Sequence, residues 1–214
     1  MTSDPVRDRR SQYETSGLER SDLLADPMAQ WTVWHDAAFS ADLLEPNAMV
    51  LATVDADGGP DTRVVLVRSA DERGFAFFTN YASTKSRQLA ACDRAAANFT
   101  WLAHHRQVRV RGHVERLSAA ESDDYFASRP RDSQIGAWAS PQSEVVDDRR
   151  AIDELVAAAS ARFAESVVPR PPEWGGWLLR PVTWEFWQGR PNRLHDRFKY
   201  EWDGSDWRID RLAP

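Results

Sequence analysis

The sequence predicts a mainly β protein, an antiparallel barrel with helices inserted between its strands. Short apolar or alternating segments recur along the chain, and turn sequences such as those at residues 55–58 and 71–74 separate them. Patterns with helical spacing lie between some of these segments. Many short strands with inserted helices favour an antiparallel barrel over a parallel βαβ fold.

Size and cysteine content favour one domain in a reducing compartment. The chain has 214 residues, and a chain of this length buries about 70% of its surface on folding without needing a disulfide. Cys92 is the only cysteine, which excludes an intrachain disulfide. The sequence has no apolar run of about 18 residues and no signal peptide, which predicts a cytoplasmic protein without a membrane segment.

The net charge of −6 argues against general nucleic-acid binding. Such binding depends on lysine and arginine side chains that replace the counterions of phosphate groups. The basic segment 106–116, with Trp101 before it, is the one feature that suggests this function. We therefore expect no nucleic-acid partner.

The chain is predicted to begin with an arm that precedes the single domain. Residues 1–27 are polar and have no sustained period, which is typical of a flexible N-terminal arm. Residues 28–214 form the predicted domain. Its first element is a helix at 27–44, in which Trp31 and Trp34 belong to an apolar set with helical spacing.

The later elements follow from changes in the period of the apolar residues. Strands are predicted at residues 48–54, 62–68, 75–79, 95–101, 107–117, 177–188, 195–202 and 207–212. Helices are predicted at residues 83–92, 118–128 and 149–164. Ser118 and Glu121 have the spacing of a capping box, which fixes where the second of these helices begins.

The spacing of Arg193, His195 and Arg197 suggests a site for an anion. On a strand, a period of two places these side chains on one face, within about 13 Å of chain. A solvated basic edge of the sheet is the alternative. Protonation of a histidine between two arginines is disfavoured, so His195 is expected to be neutral near physiological pH.

A second cationic cluster follows the capped helix. Arg129 and Ser133 lie between the end of that helix and the start of another, and Tyr125 lies one helical turn before Arg129. Helix-start amides, a hydroxyl and an arginine form the type of site that binds phosphate. A solvated loop is the alternative interpretation.

Other signals predict no further chemistry. His104, His105 and His113 lack a carboxylate or cysteine at ligand spacing, so no metal site is predicted. The sequence has neither a G-x-G-x-x-G motif nor a P-loop, which leaves Rossmann and Walker-type nucleotide sites without support. Cys92 lies next to alanines and is interpreted as a packed helix residue.

Five long motifs make the chain recognisable. They are RPRDSQIGAWAS (129–140), WGG (174–176), EFWQG (185–189), RLHDR (193–197) and IDRLAP (209–214). Through them residues 13–214 closely resemble the pyridoxine/pyridoxamine 5′-phosphate oxidase family. The resemblance implies a split β-barrel that binds FMN at the interface of a homodimer. It also implies oxidation of pyridoxine 5′-phosphate or pyridoxamine 5′-phosphate to pyridoxal 5′-phosphate, with O2 as acceptor and H2O2 as product, in vitamin B6 metabolism.

The resemblance also implies roles for individual residues. The implied FMN contacts are Arg63, Val64, Val65, Leu66, Val67, Arg68, Phe78, Thr79, Lys85, Gln107, Gln142, Ser143, Trp187 and Arg197. The implied substrate contacts are Arg68, Tyr125, Arg129, Ser133, Arg193, Leu194 and His195. Arg193 and His195 are the implied catalytic residues, over the reacting face of the pyridoxyl ring. Arg10 and Tyr13 match a short N-terminal segment that covers the substrate in the family.

Two positions depart from the family pattern. Arg68 stands where the family usually has a lysine that contacts the substrate phosphate, and the two cations differ in shape and hydration. Thr84 stands where many members have an arginine beside the residue equivalent to Lys85, so one candidate cation for the FMN phosphate is missing. These departures concern affinity and substrate preference rather than the type of cofactor.

Two other functions remain as alternatives to the implied oxidase. One is a flavin reductase, or an oxidase of another small substrate, on the same type of barrel. The other is a protein that holds flavin or pyridoxal phosphate without turnover. The presence of both Arg193 and His195 argues against the second alternative.

Overall fold

The computed structural model describes residues 13–214, which form two compact units. Within that range, unit 1 comprises the residues up to Met49, Ala97–Arg111 and Val182–Pro214, and unit 2 comprises Val50–Ala96 and Gly112–Pro181. No helix in this part of the chain has the length and apolar character needed to span a membrane. The predicted boundary between an arm and a single domain at residue 28 stays a prediction.

Nine strands make up most of the regular structure. The helices are α1 (Pro27–Ser40), α2 (Thr84–Ala91), α3 (Ala119–Ser128), α4 (Arg131–Ala139) and α5 (Arg149–Arg162). The strands are β1 (Ala48–Val54), β2 (Pro60–Leu66), β3 (Ser69–Asp71), β4 (Gly74–Asn80), β5 (Arg94–Trp101), β6 (Arg106–Arg116), β7 (Trp174–Gln188), β8 (Asp196–Trp202) and β9 (Trp207–Leu212). The hydrogen-bonded order is β2-β1-β5-β6-β7-β4-β3, with β8 paired to β7 and β9 paired to β8.

Unit 1 is built on the second half of β7 and the hairpin that follows it. Phe186 of β7 is opposite Phe198 of β8 in an antiparallel register, and both side chains are buried. Trp34 of α1 packs edge-on against Phe186, with 5.3 Å between the ring centroids. The apolar stripe of α1 that the sequence predicts therefore faces the core.

The segment before α1 packs against the rest of unit 1. Leu18 is 4% exposed and Leu23 is 7% exposed. The amide of Leu18 donates a 2.9 Å hydrogen bond to a carboxylate oxygen of Asp196, and the Tyr200 hydroxyl donates one of 2.8 Å to the carbonyl of Leu24. The described part of the predicted arm is thus anchored, whereas Arg10 lies outside the described residues.

In unit 2 the first half of β7 packs against three of the unit's four helices, α3, α4 and α5. β7 is antiparallel to β4, with Phe78 opposite Gly176 and Asn80 opposite Trp174. The capping box predicted for α3 is present, since the Ser118 hydroxyl accepts from the amide of Glu121 and the Glu121 carboxylate accepts from the amide of Ser118. A buried cluster joins the three helices to β7 through Phe126, Ile135, Ala139, Ala159, Phe163, Val168 and Trp174.

We expect Gly112→Ala to lower the free energy of unfolding by roughly 2 kcal/mol or more. A Cβ at Gly112 would overlap with the carbonyl oxygen of Arg180, and a backbone atom in a sheet has little room to move. The control is Gly136→Ala in α4, where a Cβ meets nothing within 4 Å. That change should raise the free energy of unfolding by about 0.5–1 kcal/mol. Urea unfolding followed by tryptophan fluorescence measures both, and equal effects would refute the packing argument.

Candidate active site

A cavity of about 810 Å³ in unit 2 brings together most of the predicted site residues. β2, β4, the start of α2 and the α3–α4 junction supply its walls. The predicted residues that line it are Val64, Val65, Leu66, Arg68, Phe78, Thr79, Lys85, Tyr125, Arg129, Ser133 and Gln142. We call it the cationic cavity, because Arg68, Lys85 and Arg129 line it and no aspartate or glutamate among residues 13–214 does. Such a lining favours a ligand that carries negative charge.

Lys85 supplies the positive charge at the α2 side of the cationic cavity. It is the second residue of α2, and its ammonium donates to the hydroxyls of Thr79 at 3.2 Å and Ser83 at 3.5 Å. Thr79 in turn donates a 2.8 Å hydrogen bond to the side-chain oxygen of Gln142. Burial, with the nearby charge of Arg63, lowers the pKa of Lys85. A partly desolvated ammonium with only hydroxyl partners suits an anionic group such as a phosphate.

Arg129 supplies a charge at the α3–α4 junction. Its guanidinium carbon lies 4.6 Å from the ring centroid of Trp174, and its Nη1 is buried with no hydrogen-bond partner among the described residues. Burial, with the charge of Arg68, lowers the pKa of Arg129. Ser133 lies in the first turn of α4 and lines the same cavity. The junction thus offers an unpaired N–H, a hydroxyl and a helix start, as the phosphate interpretation requires.

Within unit 2, three predicted FMN contacts do not line the cationic cavity: Arg63, Val67 and Ser143. Arg63 donates to Thr53 Oγ1 and to Asp61 Oδ2, each at 2.5 Å. Because Asp61 and Arg63 are two residues apart on β2, they share a strand face and pair with each other. Val67 is buried, and Ser143 has a φ of 75°.

A second, smaller cavity lies in unit 1. Its volume is about 250 Å³, and its lining includes the predicted contacts Gln107, Trp187 and Arg197. Glu185 also lines it and accepts hydrogen bonds from both Arg109 and Arg197. Burial acts to raise the pKa of Glu185, but these two guanidinium groups outweigh it, and the net shift is downward. Glu185 therefore fixes the side chain of Arg197 as an ionised carboxylate.

The predicted strand face carrying Arg193, His195 and Arg197 is wrong. β8 begins only at Asp196, and Pro191–Arg193 forms a single 3-10 turn before it. Asn192 and Arg193 have φ values of 57° and 63°, in the left-handed region. The period of two holds only for extended backbone, so it does not relate Arg193 to Arg197. Neither Arg193, Leu194 nor His195 lines the cationic cavity.

The backbone of this loop fixes the ring of His195. The amide of Arg190 donates a 3.1 Å hydrogen bond to His195 Nδ1. Trp187 and Tyr13 lie beside the imidazole, with ring centroids at 4.5 Å and 5.9 Å. Burial, with the charge of Arg193, lowers the pKa of His195. Since a backbone amide can only donate, Nδ1 must carry the lone pair, and neutral His195 presents its proton at Nε2.

Three residues of these sites were missed by reasoning from the sequence: Trp174, Glu185 and Asp196. Asp196 accepts hydrogen bonds from Arg211 Nη1 at 2.6 Å and from the amide of Leu18, and so anchors the His195 loop to both ends of the chain. Trp174 and Glu185 lie within the WGG and EFWQG motifs. The sequence pattern does not distinguish them from ordinary core residues of a strand. The available signal for Glu185 was an acid between aromatic residues of a predicted strand, and that for Asp196 was an acid between His195 and Arg197.

Sequence comparison matches most of the chain to two family models. Residues 36–163 match the model described as "Pyridoxamine 5'-phosphate oxidase". Residues 174–214 match the model described as "Pyridoxine 5'-phosphate oxidase C-terminal dimerisation region". A protein named pyridoxine/pyridoxamine 5′-phosphate oxidase from Burkholderia thailandensis is 52% identical over 98% of this chain and 99% of its own length. One of the same name from Gloeothece citriformis is 48% identical over 98% of both chains.

Two solved structures share the fold. PhzG from Burkholderia lata, in complex with tetrahydrophenazine-1-carboxylic acid, superposes with a TM-score of 0.88 at 32% identity, over 95% of this chain and all of PhzG. An FMN-binding protein from Nostoc punctiforme superposes with a TM-score of 0.70 at 18% identity, over 90% of this chain and 100% of its own. The predicted fold class, a mainly β split barrel with helical insertions, is confirmed.

We expect neutral His195 to be protonated at Nε2, and His113 provides a matched control. His113 Nδ1 lies 2.9 Å from a carboxylate oxygen of Asp93, which can only accept, so neutral His113 is expected to carry its proton at Nδ1. Long-range ¹H–¹⁵N correlation spectra of the histidine rings above pH 8 report the tautomer, with His195→Gln and His113→Gln for assignment. An Nδ1-protonated His195 would show that the loop geometry is not kept in solution.

Proposed function

The chain belongs to the pyridoxine/pyridoxamine 5′-phosphate oxidase family, and we propose that it is an FMN-dependent oxidase of phosphorylated B6 vitamers. Its substrates are pyridoxine 5′-phosphate and pyridoxamine 5′-phosphate, and its product is pyridoxal 5′-phosphate. Each turnover removes two hydrogens from the substrate and reduces O2 to H2O2. With the amine substrate, water then releases ammonia.

The observation that carries this proposal is the charge of the cationic cavity. Arg68, Lys85 and Arg129 line a cavity to which the described part of the chain contributes no carboxylate. An enzyme that binds both FMN and a phosphorylated vitamer must hold two phosphate groups. The Lys85 side and the Arg129–Ser133 side each offer donors suited to one phosphate.

The donor set fits FMN at the Lys85 side. Lys85, Thr79 and Gln142 are polar groups already connected by hydrogen bonds, and Val64 and Leu66 supply apolar wall beside them. When bound, FMN would accept a hydride from the substrate C4′ carbon and pass the electrons to O2. Gln107, Trp187 and Arg197 remain predicted flavin contacts, with Arg197 held by Glu185.

The protein's own residues bind and orient the substrate in this proposal. Arg129, Ser133 and Tyr125 bind its phosphate. Arg193 and His195 orient the pyridoxyl ring and its 4′ substituent. Because neutral His195 carries its proton at Nε2, it donates a hydrogen bond from that atom and does not accept the departing proton there.

A homodimer with FMN at its interface completes the proposal. The match of residues 174–214 to a dimerisation region supports it. A cytoplasmic location is proposed on the lone cysteine.

The visible absorption spectrum of the purified protein tests the function. We expect flavin bands that bleach when pyridoxamine 5′-phosphate is added anaerobically and that return with O2. Light scattering is expected to give twice the mass of the 24.3 kDa chain. If the flavin bands bleach with tetrahydrophenazine-1-carboxylic acid, the ligand of PhzG, and with neither vitamer, the chain acts on that type of molecule and not on B6 vitamers. A protein without flavin bands would refute the proposal.

Arg129→Ala is expected to weaken binding of the phosphorylated substrates by roughly 2–4 kcal/mol, as for the loss of a charge-assisted contact to a largely buried anion. FMN retention should change little. Arg131→Ala is the control, because Arg131 binds the carbonyl oxygens of Phe163 and Ser166 and does not line the cavity. Steady-state KM and flavin content measure the two effects. Equal losses of substrate and FMN affinity would show that the two phosphates are wrongly assigned.

Arg193→Ala and His195→Ala are each expected to slow anaerobic flavin reduction by on the order of 10²-fold, since each removes a group that orients the reacting ring. Reoxidation by O2 should be nearly unchanged, because it does not depend on contacts to the substrate. Stopped-flow absorbance resolves the two half-reactions. Reduction at the wild-type rate with saturating substrate in both variants would remove these residues from the catalytic set.

A further inference from the structure

The guanidinium of Arg129 is supported by aromatic rings instead of an acid. Its carbon lies 4.6 Å from the ring centroid of Trp174 and 5.7 Å from that of Phe126. By contrast, Arg63, Arg170 and Arg197 each bind a carboxylate. A ring face attracts a cation without occupying its N–H groups or neutralising its charge. Arg129 therefore keeps both its charge and a free N–H.

Trp174 is itself fixed by its backbone and by its neighbours. Its amide donates to the carbonyl of Pro171 at 3.1 Å, and its carbonyl accepts from Arg170 at 2.7 Å. Arg170 is held in turn by a 2.6 Å hydrogen bond to Asp123. The indole is only 6% exposed. Trp174 thus has a single well-supported position at the start of β7.

The rings around Trp174 also belong to the cationic cavity. The Phe78 ring lies nearly parallel to the indole, at 5.5 Å and 14°, and the Tyr125 ring at 6.2 Å and 9°. Two glycines follow Trp174, and a Cβ on either would overlap with neighbouring side chains, those of Tyr81 and Leu117. The WGG motif lets the chain pass close to these side chains while the indole reaches Arg129.

From this arrangement we propose that Trp174 is a positioning residue for the substrate phosphate. Its ring face holds the Arg129 guanidinium in place while leaving the charge free for the anion. The identity of that anion rests on the proposed function, but the action of Trp174 through Arg129 does not. A tryptophan that only fills the core would contribute to stability and not to phosphate affinity.

The test compares Trp174→Leu, which removes the aromatic face, with Trp174→Phe, which retains a smaller one. We expect KM for pyridoxamine 5′-phosphate to rise about tenfold with leucine and about threefold with phenylalanine, the range expected of a partly desolvated cation–π contact. The kcat should stay within about twofold. Inhibition by inorganic phosphate should weaken in the same proportion. Both changes should vanish in an Arg129→Ala background, since the indole acts through that side chain.

Trp177→Phe is the matched control. Trp177 lies three residues further along β7, is 4% exposed, and donates its indole N–H to Ser86 without contacting Arg129. It should alter thermal stability and leave KM unchanged. The proposal is wrong if Trp174→Leu raises KM as much in the Arg129→Ala background as in the wild type. It is also wrong if Trp174→Leu lowers stability without changing KM.

Two further measurements test the proposal if a variant does not fold or if the protein has no oxidase activity. If Trp174→Leu does not fold, the coupling between Trp174→Phe and Arg129→Ala gives the result. If the wild type has no oxidase activity, the proposed function fails, and calorimetric titration with inorganic phosphate still compares wild type with Trp174→Phe. Equal phosphate affinity of the two would then refute the role of Trp174.

Discussion

The central constraint in this structure is positive charge in a cavity that is lined by no acid from the described residues. Arg68, Lys85 and Arg129 line the same cavity, and the pKa values of Lys85 and Arg129 are lowered by burial and by neighbouring cations. Such an arrangement costs stability in the empty protein. An anion that fills the cavity offsets that cost and stabilises the fold by mass action. Anion binding in this cavity and the stability of the fold are therefore expected to be coupled.

The net-acidic chain keeps its cavity cationic by using its acids elsewhere. Glu121 caps α3 and binds Arg73, and hydrogen bonds from Ser118 and Arg73 lower its pKa to about 2. Asp61 binds Arg63, and Asp123 binds Arg170. Arg73 with Glu121 and Arg170 with Asp123 join α3 to neighbouring segments of unit 2, whereas Asp61 and Arg63 pair within β2. None of these three acids lines the cavity. Charge separation of this kind cannot be read from the net charge of the chain.

The sequence predicts local structure well wherever a short-range rule governs it. The capping box at Ser118 follows from spacing along a helix and is observed. For Arg129 and Ser133, spacing leaves a solvated loop as the alternative and the family resemblance indicates a site; the structure places both side chains in the lining of one cavity. The strand assumed for Arg193 fails because Arg193 itself lies in a 3-10 turn with left-handed backbone, and β8 begins only at Asp196. Trp174 and Asp196 escape prediction for another reason: their partners, Arg129 and Leu18, lie 45 and 178 residues away in the chain. Only the fold brings such pairs together.

Contacts between residues far apart in the chain support the loop that carries Arg193 and His195. Left-handed backbone at a residue such as Arg193 costs about 1 kcal/mol or more, so the loop needs support from outside itself. Asp196 provides it by binding the amide of Leu18 and the guanidinium of Arg211. The ring of Tyr13 stacks on His105 and borders His195. The first described residues and the last strand therefore help to determine the geometry of two predicted catalytic side chains. A substitution at Leu18 or Arg211 would alter the position of these side chains through Asp196.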